Sequence, residues 1–152
     1  MTGSTQQHSE ALQRVHDSFA LQRAMQTMGA QITHLAPGEV DICFDWLPEL
    51  TQQHGFIHAG MMATAMDSAC GYAAYSLMPQ GAGVLSIEFK INMLSPAKGP
   101  RFRCEGRILK PGRTIMVTEA RAYSIDSDGQ EKLSNTMNCT LMVVQGRPGI
   151  TG

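Results

Sequence analysis

The stretch HAGMMATAMDSACGYAAYSLM, residues 58–78, decides how the rest of the chain is organised. Small and apolar residues occupy every side of a helix drawn through it, so such a helix is buried all round. Asp67 is its only acidic or basic side chain after His58. A carboxylate at the middle of a bilayer-spanning helix costs about 2.5–3.5 kcal/mol, which argues against a membrane span. We therefore predict that residues 58–78 form the central helix of a globular core.

Alternating apolar and polar residues before this helix predict a β-hairpin. A first strand lies around residues 31–35, and Pro37-Gly38 supplies the turn. The apolar side of the second strand is formed by Val40, Ile42, Phe44 and Trp46. Further upstream, apolar residues recur at helical spacing and predict an N-terminal helix over about 9–28, with Ser9 as N-cap and Gly29 as the stop. Residues 1–8 are polar, and we expect them to be frayed.

Four strands are predicted after the central helix. In the first, one side carries Leu85, Ile87, Phe89, Ile91 and Met93, and the other carries Ser86, Glu88, Lys90 and Asn92. Three more runs lie near 101–109, 114–125 and 131–144, separated by turn sequences at 110–113 and 126–129. The order of helix, two strands, buried helix and four strands predicts an α+β domain whose antiparallel sheet curls around one helix. No repeat or linker divides residues 1–152, so we expect one domain.

Charge and cysteine content narrow the class of protein. The 152 residues include 12 Lys and Arg and 13 Asp and Glu, which gives a net charge of −1. This charge balance argues against a nucleic-acid partner. Only 16% of residues are charged, below the usual quarter, so we expect a homo-oligomer that hides part of its surface. The four cysteines form no CxxC pair, and no signal peptide precedes them, which favours a reduced cytoplasmic protein.

Metal and thiol chemistry have little support in the sequence. His54 and His58 are four residues apart, but Gly55 implies a turn between them and no third ligand is evident, so we expect no metal. Cys70 follows Asp67 by three positions, yet buried helical cysteines are usually inert. The pattern leaves two interpretations of Asp67 open. It forms a structural pair with a group from the sheet or from a partner subunit, or it has a catalytic role.

The segment Gly55-Phe56-Ile57-His58-Ala59-Gly60, with Gln52 before it and Asp67 after it, resembles the signature of hotdog-fold acyl-CoA thioesterases of the phenylacetate-degradation (PaaI-like) type. The resemblance extends from about residue 31 to residue 144, and it implies the hotdog fold for a core over about 30–145. The family commonly has His-Gly-Gly where this chain has His58-Ala59-Gly60. Alanine keeps the backbone N–H but would be strained at a positive φ.

The resemblance implies a thioester hydrolase that needs no cofactor, with acyl-CoA as its substrate. The Ala59 N–H at the helix N-terminus would stabilise the oxyanion, and Asp67 would act as general base or nucleophile. Gln52 would orient water or thioester. His58 would mainly hold the turn, and a direct catalytic role is the less favoured interpretation.

Four further residues are candidates for contacting the substrate. The resemblance places Gly60 beside the thioester and Ser86 on the opposite wall of the site. Two basic side chains at strand ends, Lys98 and Arg113, are our candidates for the phosphates of coenzyme A.

Helix geometry predicts that the site is shared between subunits. Ala59 and Asp67 are eight residues apart, which corresponds to about 12 Å along a helix at about 1.5 Å per residue. One thioester carbon cannot touch both. If both act on one bond, Asp67 comes from a second, antiparallel subunit, and a dimer has two equivalent sites at its interface.

Two other functions compete with hydrolysis. A hotdog dehydratase or hydratase would use a histidine with an acidic partner, but the His-x-Pro-Gly loop of those enzymes is missing around His54. A non-catalytic acyl-CoA binding module would have no use for Asp67. The products distinguish the three: free acid, enoyl thioester or none.

Overall fold

The computed structural model describes residues 2–150, with side chains from residue 6 onward. Its elements are α1 (Thr2–Leu21), α2 (Arg23–Met28), β1 (Gln31–Ala36), β2 (Glu39–Asp45), a 3-10 turn (Pro48–Leu50), α3 (Ala59–Tyr75), β3 (Gly83–Met93), β4 (Arg101–Lys110), β5 (Ile115–Ile125) and β6 (Glu131–Val144). Apart from the short turn and the divided first helix, this is the predicted order. Within the described residues, no helix has the length and apolar character needed to cross a membrane.

The six strands form one antiparallel sheet in the order β1-β2-β4-β5-β6-β3. Helix α3 packs on this sheet, against β2, β3, β4, β5 and β6. Val40, Ile42 and Phe44 of β2 point into the core as predicted, whereas Trp46 is 41% exposed because β2 ends before it. The arrangement confirms the predicted α+β hotdog architecture.

Gly106 on β4 allows α3 to lie directly on the sheet. A Cβ at this position would overlap the backbone of Ala69, in the middle of α3. The facing side of the helix is made of alanines, and Ala65, Ala69 and Ala73 are all fully buried. Small residues on both surfaces therefore bring the helix backbone and the strand backbone into contact.

The N-terminal helix differs from its prediction in two ways. It begins at Thr2, not at Ser9, so the expected fraying of residues 2–8 is wrong. It is also interrupted at Gln22, whose extended backbone separates α1 from α2. The predicted stop at Gly29 is confirmed, because this residue caps α2 in the left-handed conformation with φ 64°.

Helix α3 is not buried all round as predicted. A stripe that includes Gly60, Thr64, Asp67 and Gly71 remains partly accessible, while the opposite side is closed by the sheet. These residues recur every three or four positions, so they form one side of the helix. The chain's own sheet covers only the other side.

A β-bulge at Ile87 changes which side of β3 faces α3. Ser86 pairs with Leu141 and Glu88 with Thr140, so Ile87 is an extra residue in the ladder. Directly opposed residues share a face of the sheet, and Leu141 is buried under α3. Ser86 therefore faces α3, together with Phe89 and the rest of the inner side, and the strict alternation predicted across 85–93 is wrong before the bulge.

β3 is also an edge strand with an apolar surface. Within the described residues, this eleven-residue strand pairs with β6 on one side and with no strand on the other. Four of its large apolar side chains are 42–53% exposed: Leu85, Ile87, Phe89 and Met93. A long, exposed apolar edge is a site for pairing with another strand.

We expect Gly106→Ala to lower the free energy of unfolding by about 1–3 kcal/mol, because the added methyl group pushes α3 off β4. Gly71→Ala is the matched control: nothing lies within 4 Å of its added Cβ. Replacing a helical glycine by alanine there should raise stability by up to about 1 kcal/mol. Denaturant unfolding of the three proteins measures both, and equal effects of the two substitutions would contradict the close contact.

Candidate active site

At the N-terminus of α3, one backbone N–H has no acceptor within the described residues. His58 is the N-cap, and its Nδ1 accepts the Gly60 N–H at 2.9 Å. The His58 carbonyl accepts the N–H groups of Met61 and Met62. Among residues 2–150 nothing accepts the Ala59 N–H. This donor, at the positive end of the helix dipole, is suited to an oxyanion.

The departure from His-Gly-Gly does not strain this turn. Ala59 is the first helical residue, and no residue other than glycine in the described part of the chain has a positive φ. An alanine therefore fits here.

A cavity of about 410 Å³ opens at this helix end, and we call it the Ala59 cavity. It is lined by Gln52, Phe56, Ile57, Ala59, Met62, Met93, Leu94, Ser95, Pro96, Ala97 and Asn135. The Gln52 side chain folds back on its own loop, where its Oε1 accepts the His54 N–H. Its amide N–H₂ has no acceptor among the described residues, so it can donate to a group in the cavity.

Asp67 lies two turns further along α3 and is held by two side chains from the sheet. Ser86 Oγ donates to its Oδ1 at 2.6 Å, and the Cys139 thiol on β6 approaches the same oxygen at 3.8 Å. Both contacts fall on Oδ1, so Oδ2 is free of protein donors in the described structure. The carboxylate is thus oriented on one side and available on the other.

Two cysteines next to Asp67, Cys70 and Cys139, are buried. Cys70 is buried on α3, and its side chain lies next to that of Cys139. The interaction with Cys139 and burial raise the pKa of Cys70 well above its ordinary value, and the interaction with Cys70 lowers the pKa of Cys139. Both side chains are fully buried, so neither sulfur is exposed to a substrate. The interpretation of Cys70 as inert core agrees with this geometry.

A second cavity of about 320 Å³, the Asp67 cavity, lies beside this carboxylate. It is lined by Ser18, Gln22, Asp67, Ser68, Gly71, Tyr72, Tyr75, Gly83, Val84, Leu85, Ser86, Gly149 and Ile150. The break at Gln22 brings that side chain onto α3, where its Oε1 accepts from Ser68 Oγ at 3.1 Å. Burial raises the pKa of Tyr72, whose hydroxyl meets Ser18 Oγ at 3.3 Å.

The candidate residues are therefore divided between two places in one chain. Gln52 and Ala59 share the Ala59 cavity, whereas Asp67 and Ser86 share the Asp67 cavity. His58 caps the helix, and the Gly60 N–H is taken by that cap. The residues that sequence reasoning missed are Gln22, Asn135 and Cys139. They come from the N-terminal helices and from β6, and only the tertiary fold brings them here.

Lys98 and Arg113 lie at opposite ends of β4. Lys98 precedes its first residue and Arg113 follows its last, so a strand of about 30 Å separates them. Both side chains are exposed, and neither makes an ion pair in the described structure. The other basic residues of β4 differ, since Arg101 pairs with Asp45 and Arg103 with Glu131. One subunit cannot place Lys98 and Arg113 on the same phosphate group.

Comparison with known proteins gives a consistent result. The sequence model of the thioesterase superfamily matches residues 54–129. A thioesterase family protein from Silicibacter pomeroyi is 51% identical, with a TM-score of 0.88, and the match covers 90% of this chain and 99% of that one. A Saccharolobus solfataricus protein named as an esterase is 31% identical over 68% of this chain and 71% of its own. The Escherichia coli PaaI protein shares the fold, at 17% identity and a TM-score of 0.78, over 94% of this chain and 96% of its own.

We expect His58→Ala to lower the free energy of unfolding by about 0.5–2 kcal/mol, because the cap on the Gly60 N–H is lost. His58→Asn keeps a capping acceptor and should recover most of that stability. Thermal or denaturant unfolding measures both. If the asparagine variant is as unstable as the alanine variant, His58 is not acting as the cap.

Proposed function

Because the chain belongs to the thioesterase superfamily, whose activity is thioester hydrolysis, we propose that its substrate is an acyl-CoA. We further propose that two subunits form each active site, with the helix N-terminus from one and Asp67 from the other. The observation that carries this proposal is the Asp67 carboxylate, which is fixed through Oδ1 by Ser86 and whose Oδ2 has no donor among the described residues. A fixed carboxylate with a free oxygen is what a general base or a nucleophile requires.

The edge strand β3 supplies a route to the dimer. Its exposed backbone and apolar side chains invite antiparallel pairing with β3 of a second copy about a two-fold axis. Ser86 and Met93 lie near opposite ends of the strand, about 20 Å apart in one chain. A two-fold axis at Lys90, with Ile87 left out of the register as the bulge, places Ser86 of one copy opposite Met93 of the other, about 5 Å away.

This pairing joins the two halves of the site. Ser86 holds Asp67, and Met93 lines the Ala59 cavity. Bringing Ser86 next to the second copy's Met93 therefore brings the carboxylate toward the free N–H of Ala59. The partly accessible stripe of α3, which carries Asp67, is left for the partner to cover. The arrangement supports the predicted homo-oligomer with shared sites.

The proposed mechanism follows from these positions. The Ala59 N–H donates to the thioester oxygen and stabilises the negative charge that develops there. Asp67 takes a proton from water as the water oxygen bonds to the acyl carbon, and that proton then passes to the departing sulfur as the carbon–sulfur bond breaks. In the nucleophilic route, Oδ2 bonds to the acyl carbon while the carbon–sulfur bond breaks and the thiolate leaves, and water then cleaves the anhydride to the free acid and the Asp67 carboxylate. Gln52 donates its amide hydrogen to the thioester or to the water.

The remaining candidate residues have binding roles in this proposal. Gly60 lies at the turn beside the thioester, and the apolar walls of the Ala59 cavity suit an acyl group. Lys98 and Arg113 attract the phosphates of coenzyme A, each from a different subunit, since one chain holds them far apart. The cytoplasmic location indicated by the cysteine pattern stays a prediction.

We expect Asp67→Asn to reduce turnover about 100- to 10,000-fold, because the amide keeps the Ser86 hydrogen bond but cannot accept the proton. Thiol release from a panel of aryl and aliphatic acyl-CoAs measures this, with product analysis beside it. Retention of more than about a tenth of the activity would exclude the catalytic role of Asp67. An enoyl thioester among the products would favour a dehydratase, and binding without turnover in the wild type would favour a binding module.

We expect Ala59→Pro to abolish turnover and preserve the fold, because proline replaces the N–H by a ring methylene and no hydrogen bond among the described residues uses that N–H. Ala59 is the first residue of α3, where proline is favoured, and His58 is already extended at φ −61° and ψ 137°, as the residue before proline requires. Mixing this variant with Asp67→Asn then restores one intact site in each heterodimer. Random exchange gives about a quarter of wild-type activity.

Two controls accompany the mixing experiment. Circular dichroism and unfolding curves establish that both variants are folded, and differently tagged subunits establish that exchange has occurred. If heterodimers form and have no more activity than the parents, Ala59 and Asp67 do not act across one interface. Activity from the Ala59→Pro variant alone would exclude its N–H as the oxyanion donor.

A further inference from the structure

Asn135 on β6 is a buried polar residue without a partner for its carbonyl. It is 2% exposed, and its Oδ1 has no hydrogen bond anywhere in the described residues. Leaving a buried acceptor unpaired costs about 1–3 kcal/mol, and each such group in a native protein calls for an explanation. A leucine would fill a similar volume without that cost.

The sheet fixes the direction of this side chain. Asn135 pairs with Met93 on one side and with Ala122 on the other, and the small alanine leaves room above the strand. The register shifts at the neighbouring residue Ser134, whose carbonyl accepts the N–H groups of Leu94 and Ser95. A bulge of this kind re-aims a side chain. Here it sets Asn135 beside the loop that walls the Ala59 cavity.

The deep part of the Ala59 cavity, which Asn135 lines, is otherwise mostly apolar. Ile57 and Met62 are 4% and 0% exposed, and both line the same space. The free Ala59 N–H and the Gln52 amide are in that lining too. An apolar cavity with a few converging polar groups is the usual form of a binding site, in which the polar groups orient the ligand.

We propose that Asn135 is a substrate-positioning residue, whose Oδ1 accepts a hydrogen bond from an O–H or N–H of the thioester bound in the Ala59 cavity. This inference rests on the proposed function and extends it to a residue outside the sequence signature. The donor has two sources in an acyl-CoA: a hydroxyl on the acyl group, or an amide N–H of the pantetheine arm. Both groups would place a hydrogen-bond donor deep in the cavity.

The test compares wild type with Asn135→Leu, which has similar volume and no acceptor. The probes are thioether analogues, which carry a methylene between sulfur and carbonyl and so cannot be hydrolysed. Four are needed: acyl groups with and without a terminal hydroxyl, each on coenzyme A and on ethanethiol, which has no amide. Calorimetry gives Kd, and denaturant unfolding gives the stability of each protein.

We expect Asn135→Leu to be at least as stable as wild type, because a buried unpaired acceptor is removed. We also expect it to bind donor-bearing probes about 5- to 10-fold more weakly, the equivalent of one lost hydrogen bond. If Asn135→Leu weakens binding of the probes that carry the acyl hydroxyl, the hydroxyl is the donor. If it weakens binding of the probes that carry coenzyme A, the pantetheine amide is the donor. The hydroxyl-free ethanethiol probe should bind both proteins equally.

Ser134→Ala is the matched control on the same strand segment. Its Oγ donates to the Ala122 carbonyl at 3.1 Å, so its loss should lower stability and leave Kd unchanged. Equal Kd values for wild type and Asn135→Leu on every probe overturn the proposal. So does an equal loss on all four probes with reduced stability, which marks a purely structural role. Failure of wild type to cleave any acyl-CoA overturns the proposed function instead, because the binding measurement needs no turnover.

Discussion

The direct contact between α3 and β4 is the constraint on which the rest of the structure depends. Gly106 has no side chain, and the helix presents Ala69 to it, so the two backbones touch. Packing at this distance leaves α3 no freedom to rotate or slide, since the neighbouring alanines are fully buried as well. The direction of α3 is thereby fixed, and with it the position of every group that the helix carries.

A fixed helix explains why the candidate site has two parts. The His58 cap reaches Gly60, and among residues 2–150 nothing accepts the Ala59 N–H, so a free donor lies at the start of α3. The carboxylate of Asp67 is two turns away, on the stripe that the sheet does not cover. Because α3 is held rigidly, no bending within one chain can bring these groups together. A second copy of the chain is the simplest way to unite them, and the long edge of β3 is available for it.

The sequence was sufficient for the parts of the fold that depend on local pattern. The run of small residues over 58–78 predicted a buried helix, and alternation predicted strands close to their observed bounds. Alternation failed at Ser86, because an inserted residue such as Ile87 reverses the inner and outer sides and leaves no periodic signal. Gln22 and Asn135 were missed for a different reason. Their importance comes from α3 and β3, which are distant in sequence, and neither stands out among polar neighbours.

The polar groups of the two cavities differ in whether they already have hydrogen-bond partners. Around Asp67 the donors already have an acceptor: Ser86 and Cys139 both meet Oδ1. Around Ala59, in the described part of the chain, the Ala59 N–H and the side-chain carbonyl of Asn135 have no partner. Unpaired buried groups reduce stability, and they strengthen binding only when a ligand supplies the missing partners. The Ala59 cavity therefore has the character of the part that recognises substrate, whereas the Asp67 side is already arranged for chemistry.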